Sequence, residues 1–323
     1  MTGPQSWIGI DVAKAHLDIA RSQRPGQVRV ANTAAGWQRL LAELAGTEQP
    51  QVVVEATGPY HRGLVVALQA AGIPTAVINP AHLRYFARSQ GQRAKTDAID
   101  AQLIARYGAQ IMPAPTPLPS PAERRLADLV SRRQDLVQDR VREQNRRATT
   151  TDPLILASIE RHLTMLAAEL RALERAMATV TTTDAALATR TARLRSAPGI
   201  GPVIAATVVA GLPELGTLAP KPLAALVGVA PFARESGAQT HRRAIAGGRA
   251  TVRKALYQAV VSATRCNPVL KAHLQHLQAR GKPYKVAMVA TMRRFLGILN
   301  AMLRDGLDWS ETEVGQGRFL TEC

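Results

Sequence analysis

Cysteine is almost missing from this chain. Cys266 and Cys323 are the only two in 323 residues, too few and too far apart for a disulfide framework or a zinc site. Aromatic side chains are nearly as sparse, at 4%, which leaves little material for the stacked platforms that grip single-stranded nucleic acid. No run of eighteen apolar residues occurs, and the amino terminus lacks a charged segment followed by an apolar one. The expectation is a cytoplasmic protein with no membrane partner. Acids are the remaining shortage: 24 Asp and Glu stand against 41 Lys and Arg, a formal net charge of +17. Such an excess points to a polyanion, and without a membrane segment nucleic acid is favoured over an anionic bilayer.

With 46% hydrophobic residues, the chain can bury a substantial core and is long enough for two domains and a connector. Trp7-Ile8-Gly9-Ile10-Asp11-Val12 reads as a strand, and Leu17–Ala20 and Val28–Ala31 as two more in close succession, an antiparallel meander. Asn32 or Thr33 can cap a helix carrying Trp37, Leu40, Leu41 and Leu44, ended by Gly46. Val52-Val53-Val54 is a β-branched run of the kind buried on both faces, closed by Glu55. A helix over about 60–71 leads to another buried strand, Thr75-Ala76-Val77-Ile78. The order β-β-β-α-β-α-β-α is that of a ribonuclease-H-like α/β fold.

Asp11 and Glu55 each stand at the end of an apolar strand, where sites form in open α/β sheets. Lys95-Thr96-Asp97-Ala98-Ile99-Asp100-Ala101 reads as the start of a helix that stacks Asp97 over Asp100. Like charges at that spacing repel unless a cation sits between them. Taken alone, such a pair is most often a solvated acidic face, Asp11 a turn cap and Glu55 an ion-pair partner. Together the four carboxylates are hard oxygen ligands suited to magnesium or manganese. Arg84, Arg88, Arg93 and Lys95 make a basic approach to them, as an anionic substrate would need.

Five prolines, at 113, 115, 117, 119 and 121, form a stiff spacer. A long Arg-rich helix follows over 122–149, either a solvated face or a phosphate-contacting one. In the next helix Leu156, Leu163, Leu170 and Met177 repeat every seven residues, with Ile159, Leu166, Leu173 and Val180 filling the second seam position. This heptad pattern predicts a coiled coil, either an internal hairpin or a pairing between chains, and self-association is the expectation. Pro198-Gly199-Ile200-Gly201 resembles the turn of a helix-hairpin-helix element, whose glycines let backbone N–H groups approach a phosphate; an ordinary tight turn is the alternative. Ser236 lies in a segment crowded with Arg234, Arg242, Arg243, Arg249, Arg253 and Lys254. It is a nucleophile steadied by cations or a phosphate-binding hydroxyl. The residues 286–303 read as core.

These motifs occur in one order. Gly9-Ile10-Asp11-Val12-Ala13-Lys14, Val54-Glu55-Ala56-Thr57-Gly58, Val77-Ile78-Asn79-Pro80, Lys95 to Ala101, Pro198 to Gly201 and Glu235-Ser236-Gly237 together resemble the DEDD transposases of bacterial insertion sequences. This is the "IS-one-ten" type, also called bridge-RNA-guided recombinases, and the resemblance runs from about residue 7 to 304. It implies a RuvC-like domain (1–111), a spacer and coiled-coil connector (112–192) and a mainly helical transposase domain (193–323). It further implies a metal site of Asp11, Glu55, Asp97 and Asp100, with Mg2+ or Mn2+ as cofactor. Ser236 would form a covalent phosphoserine link to DNA. Arg93, Lys95, Arg234, Arg242, Arg243, Arg249, Arg253 and Lys254 would be the nucleic-acid contacts. Implied partners are donor and target DNA, a structured guide RNA and further copies of the chain, as dimer or tetramer. The metal site and the serine would come from different protomers of a nucleoid-associated bacterial assembly. After Ser236-Gly237 the chain reads Ala238-Gln239-Thr240-His241-Arg242-Arg243, where relatives often carry further serines and Arg-Gly. Two other functions fit the residues: a RuvC-like nuclease or Holliday-junction resolvase using water, and a non-catalytic architectural DNA-binding protein.

Overall fold

The computed structural model describes residues 6–56, 58–91, 97–236 and 239–312. They fall into two compact units, residues 1–118 and 119–323. In the first unit, β1 (Ser6–Val12), β2 (His16–Arg21) and β3 (Arg24–Ala31) form the expected meander. Then come α1 (Ala34–Ala45), β4 (Pro50–Glu55), α2 (Arg62–Ala70), β5 (Thr75–Ile78), α3 (Pro80–Ser89) and α4 (Asp97–Ile111). The five strands make one sheet in the order β3-β2-β1-β4-β5. β1 pairs antiparallel with β2 and parallel with β4, so the sheet is mixed.

Strand alternation sorts the side chains into two layers. Ile8, Ile10 and Val12 join Val52, Val54 and the Leu40, Leu44, Leu64 and Leu68 of α1 and α2. Trp7, Val53, Ala76 and Ile78 face the other way, onto Leu83 of α3 and Ile104 of α4. Thr33 caps α1, and Asn79, followed by Pro80, caps α3. Gly9 lies directly under α4: a Cβ there would overlap the backbone of Ala101 and Ala105. Glycine at this one position lets helix and strand touch.

The proline spacer is stitched to the first unit. The Thr116 amide donates to the carbonyl of Thr75 (2.9 Å), its hydroxyl accepts from the Val77 amide (2.8 Å), and its carbonyl accepts from Gln69 (2.6 Å). Proline has no amide N–H to offer an edge strand, and the threonine set among prolines supplies one.

The second unit opens with α5 (Pro121–Thr149), begun by a Ser120/Glu123 capping box, and α6 (Pro153–Thr183), capped by Asp152. After these come α7 (Ala185–Ser196), α8 (Pro202–Gly211), α9 (Pro220–Val227), the hairpin β6 (Pro231–Ser236) and β7 (Gln239–Ile245), then α10 (Ala250–Cys266), α11 (Pro268–Ala279) and α12 (Tyr284–Asp305). The α6 seam buries Ile159, Leu166, Leu170, Met177 and Val180. Its partner is α5 of the same chain: Leu136 packs on Leu166 and Leu170, and Arg133 bridges Glu174 at 2.7 Å. The hairpin answers the heptad pattern within one chain, so the seam by itself requires no second copy. Leu126, Val130, Met177 and Val180 at the hairpin's root share a core with Leu187, Leu194 and the helices up to α12. Within the stretch 112–192, Pro113, Pro115 and Pro117 lie in the first unit, and Pro119, Pro121 and the helices lie in the second. By length and composition α12 could cross a membrane, but it buries Ala287, Met288, Phe295 and Leu299 in this core.

Candidate active site

The β1–β4 register runs from Ser6↔Pro50 to Ile10↔Val54 with a constant offset. One step further, Asp11 stands beside Glu55 on neighbouring strands, about 4.8 Å apart. Both are half-buried. The row continues outward, with Asp11 opposite Asp18, Asp18 opposite Arg29, and Glu55 opposite Ile78. Three carboxylates and a guanidinium therefore line one row across the sheet. Alternation puts Asp11 on the same face as Trp7 and Gly9, and Glu55 on that of Val53, the face covered by α4.

Helix α4 runs antiparallel to β1. A Cβ at Gly108 would meet Trp7 and Val53, while Gly9 sits under Ala101, Ile104 and Ala105. Two strand residues advance about 6.6 Å and four helical residues about 6 Å, so the next step, to Asp11, comes level with the first turn of α4. That turn carries Asp97 and Asp100. Position 97 is four residues before Ala101 and seven before Ile104, and position 100 is four before Ile104, which puts both on or beside the sheet-facing stripe. The side chains of Asp97 and Asp100, and the whole of Arg93 and Lys95, lie outside the described residues. Among the described residues no group of three or more His, Cys, Asp or Glu forms a cation-binding set.

Asp18 is a site neighbour that the sequence does not single out, because Leu17-Asp18-Ile19-Ala20 reads only as a short strand. Its side chain is only 1% exposed. Arg29 grips it with two bonds, Nε to Oδ1 at 2.7 Å and Nη2 to Oδ2 at 2.8 Å, and His16 stands 3.6 Å away. The Arg29 bonds outweigh burial and hold the carboxyl below its ordinary range. A signal did exist: the short 13–15 turn pairs residue 11 with residue 18, bringing two acids together.

Ser236, in the second unit, ends β6 opposite Gln239, with Glu235 opposite Thr240 and Arg234 opposite His241. By backbone register, positions 234, 236, 239 and 241 belong to one face of the hairpin and positions 235 and 240 to the other, and the register shifts between Phe232 and Arg234, opposite positions 242 and 243. The side chains of residues 233–243, and the whole of Gly237 and Ala238, lie outside the described residues. The root is clamped. Arg249 bonds both carboxylate oxygens of Glu214 (2.5 and 2.6 Å) and the Gly211 carbonyl (3.0 Å), and its amide donates to Leu226. Burial would raise the Glu214 carboxyl, but the bonds from Arg249 bring it below its usual value. Arg253 donates to the carbonyls of Val227 and Gly247. Arg249 and Arg253 therefore engage the protein itself here, while Lys254 is exposed.

The Pro198–Gly201 turn joins α7 to α8. Gly199 has φ +99°, and a Cβ on it would come within 2.6 Å of Ala263 on α10, so the glycine serves both the turn and the packing. Gly201 caps α8 from open space.

The chain is 26% identical to a "Pilin gene-inverting protein" of Moraxella bovis, covering 93% of this chain and 96% of that one. It is 25% identical, over the same shares, to a protein of that name from Moraxella lacunata. Over 35% of its length it is 31% identical to an "Insertion element IS110 uncharacterized 43.6 kDa protein" of Streptomyces coelicolor, of which it covers 28%. Two family models match in sequence order. One, described as "Transposase" and of the DEDD IS110 type, covers residues 8–152; the other, "Transposase IS116/IS110/IS902 family", covers residues 191–275. Since the two take in well over half of the chain, one across the acidic sheet edge and the other across the serine hairpin, it belongs to the IS110-type transposase family and is a DNA transposase or recombinase.

Proposed function

We propose that this protein cuts and rejoins DNA strands by transesterification, through a divalent cation held by Asp11, Glu55, Asp97 and Asp100 and a nucleophile, Ser236. The observation that carries the reading is the pair Asp11 and Glu55, set side by side at the carboxyl ends of parallel strands under the start of α4. The donor set fits a hard ion: all carboxylate oxygens, with Gly9 drawing the helix onto the strand. Mg2+ or Mn2+ bound there would neutralise charge building on a phosphodiester in transit. In this reading the first unit is RuvC-like.

The residues of the hairpin take the following parts. Ser236 loses its proton to His241 and its Oγ bonds to phosphorus, while the bond from phosphorus to the departing sugar oxygen breaks. That oxygen takes up the proton. A sugar hydroxyl of another strand then attacks the phosphoserine and restores Ser236. Arg234, whose register position shares the serine's face, steadies the phosphate charge together with Arg243 farther along β7. The name of the two Moraxella relatives supports rejoining over simple cutting, because inverting a gene requires every cut end to be resealed. The guide RNA, and a tetramer in which acids and serine come from different protomers, enter this reading from the family resemblance.

The test mixes Ser236→Ala and Asp11→Asn proteins, each expected to be inactive alone. Mixed oligomers should regain cleavage, and covalent protein–DNA adducts should form only on chains that keep Ser236. If Ser236→Ala cleaves at the parental rate without adducts, water is the nucleophile and the nuclease reading replaces this one. If Asp11→Asn cleaves normally, the cation site lies elsewhere.

A further inference from the structure

Between Glu235 and Asp305 the chain has no acidic residue, against thirteen Lys and Arg. Much of that stretch folds as α10, α11 and α12, which pack on one another. On α11 and α12 the cations gather. Arg294 donates through Nη1 to Nδ1 of His273 at 3.0 Å, so the imidazole accepts with that nitrogen unprotonated. Burial first, and then the neighbours Arg294, His276 and Arg293, hold the ring below its ordinary pKa. His276 and Arg293 are exposed. Arg280, the C-cap of α11 four residues beyond His276, follows on the same side of the helix end and is also exposed. The exposed cations of this group, Arg280 and Arg293, favour an anionic partner.

We infer that this face of α11 and α12 is a second docking surface, separate from the Ser236 hairpin, for the phosphate backbone of duplex DNA; the inference rests on the DNA-recombinase reading above. Two observations favour a duplex. Base stacking is poorly served in a chain with 4% aromatic residues, so charge has to carry the binding. The face is also built on the frame that holds the hairpin. Asn300, six residues or about 9 Å along α12 from Arg294, bonds the Gly216 amide (2.7 Å) and the Leu218 carbonyl (2.9 Å). That loop begins at Glu214, the residue clamping Arg249. A duplex engaged at the hairpin presents a phosphate charge about every 1.7 Å of its axis, and a rigid cationic face on the same frame can fix its direction.

The experiment measures binding of the full chain to a 40-base-pair duplex of arbitrary sequence by fluorescence anisotropy, in EDTA, over a series of salt concentrations. Arg293→Gln/Arg294→Gln should bind at least tenfold more weakly at low salt. Its plot of log affinity against log salt should be shallower by about 0.9 for each phosphate that is no longer neutralised, hence by about 2. Arg293→Lys/Arg294→Lys should keep most of the parental slope. If the first variant melts early, Arg280→Gln/Arg293→Gln, which alters only exposed tips, gives the same reading. Parental slope and affinity in both Gln variants overturn the inference, as does a loss confined to a structured RNA hairpin with duplex binding intact. Because no strand is cut, failure here leaves the Ser236 chemistry standing, and failure of that chemistry leaves this slope change readable.

Discussion

Removing Arg29 should harm this protein more than removing its partner Asp18, although both changes break the same ion pair. The side chain of Asp18 is 1% exposed and that of Arg29 58%. Replacing Asp18 with Asn leaves a guanidinium that water can solvate, so the cost is that of two charge-assisted hydrogen bonds discounted for exposure, about 1–1.5 kcal/mol. Arg29→Ala strands a buried carboxylate beside Asp11. Stranded buried charges cost about 3–5 kcal/mol, and with His16 still 3.6 Å away the lower end, about 3 kcal/mol, applies. For a unit of 118 residues that is a fall in Tm of about 10 °C. Urea melts followed by tryptophan fluorescence in a Trp309→Phe background report this unit alone, through Trp7 and Trp37. The pH dependence supplies a second check. Arg29 depresses the folded pKa of Asp18, so the pair's stabilisation is complete above the unfolded value of about 4 and is lost as pH falls through the folded one. In Arg29→Ala the burial that remains raises that pKa, so protonation relieves the variant. The gap between parent and Arg29→Ala should therefore narrow as pH drops from 7 to about 4. An Asp18→Asn variant as unstable as Arg29→Ala, or a gap that widens in acid, would refute the buried-charge argument.

Gly9→Ala should push α4 off β1, because its Cβ would overlap the backbone at Ala101 and Ala105. A loss of about 2–3 kcal/mol or more is expected in the same fluorescence melt, with cleavage falling alongside stability. Glu214→Gln weakens the clamp on Arg249. About 1–2 kcal/mol of local stability is at stake, and faster hydrogen exchange should be confined to the β6–β7 root. Leu170→Ala, at 4% exposure in the α5–α6 seam, should cost about 2–5 kcal/mol. Light scattering of that variant tells whether the seam, filled within one chain, also influences assembly; an unchanged mass with lowered stability is the expected result.

Much of the fold was legible in the chain itself. Alternation at Trp7–Val12, the β-branched run before Glu55, the caps at Thr33 and Asn79 and the seven-residue repeat of α6 each encode local geometry, because strand and helix periods are set by the backbone. The acids at 11 and 55 could be picked out because strand ends in such sheets are where sites form. What the chain could not show was pairing at a distance. That β1 lies beside β4 in the register that makes neighbours of Asp11 and Glu55 depends on packing both sheet faces at once. The β2–β3 pairing sets Asp18 against Arg29, and the β1–β2 pairing makes that acid a member of the row. A heptad repeat states that a helix needs a partner and leaves open which one; only the core joining Leu126 and Val130 to Met177 and Val180 fixed it as α5. Charge was the reverse case. Composition pointed to an anionic partner, but burial and hydrogen bonding had to assign Arg249 and Arg253 to the hairpin's root, leaving cations such as Lys254, Arg280 and Arg293 facing water.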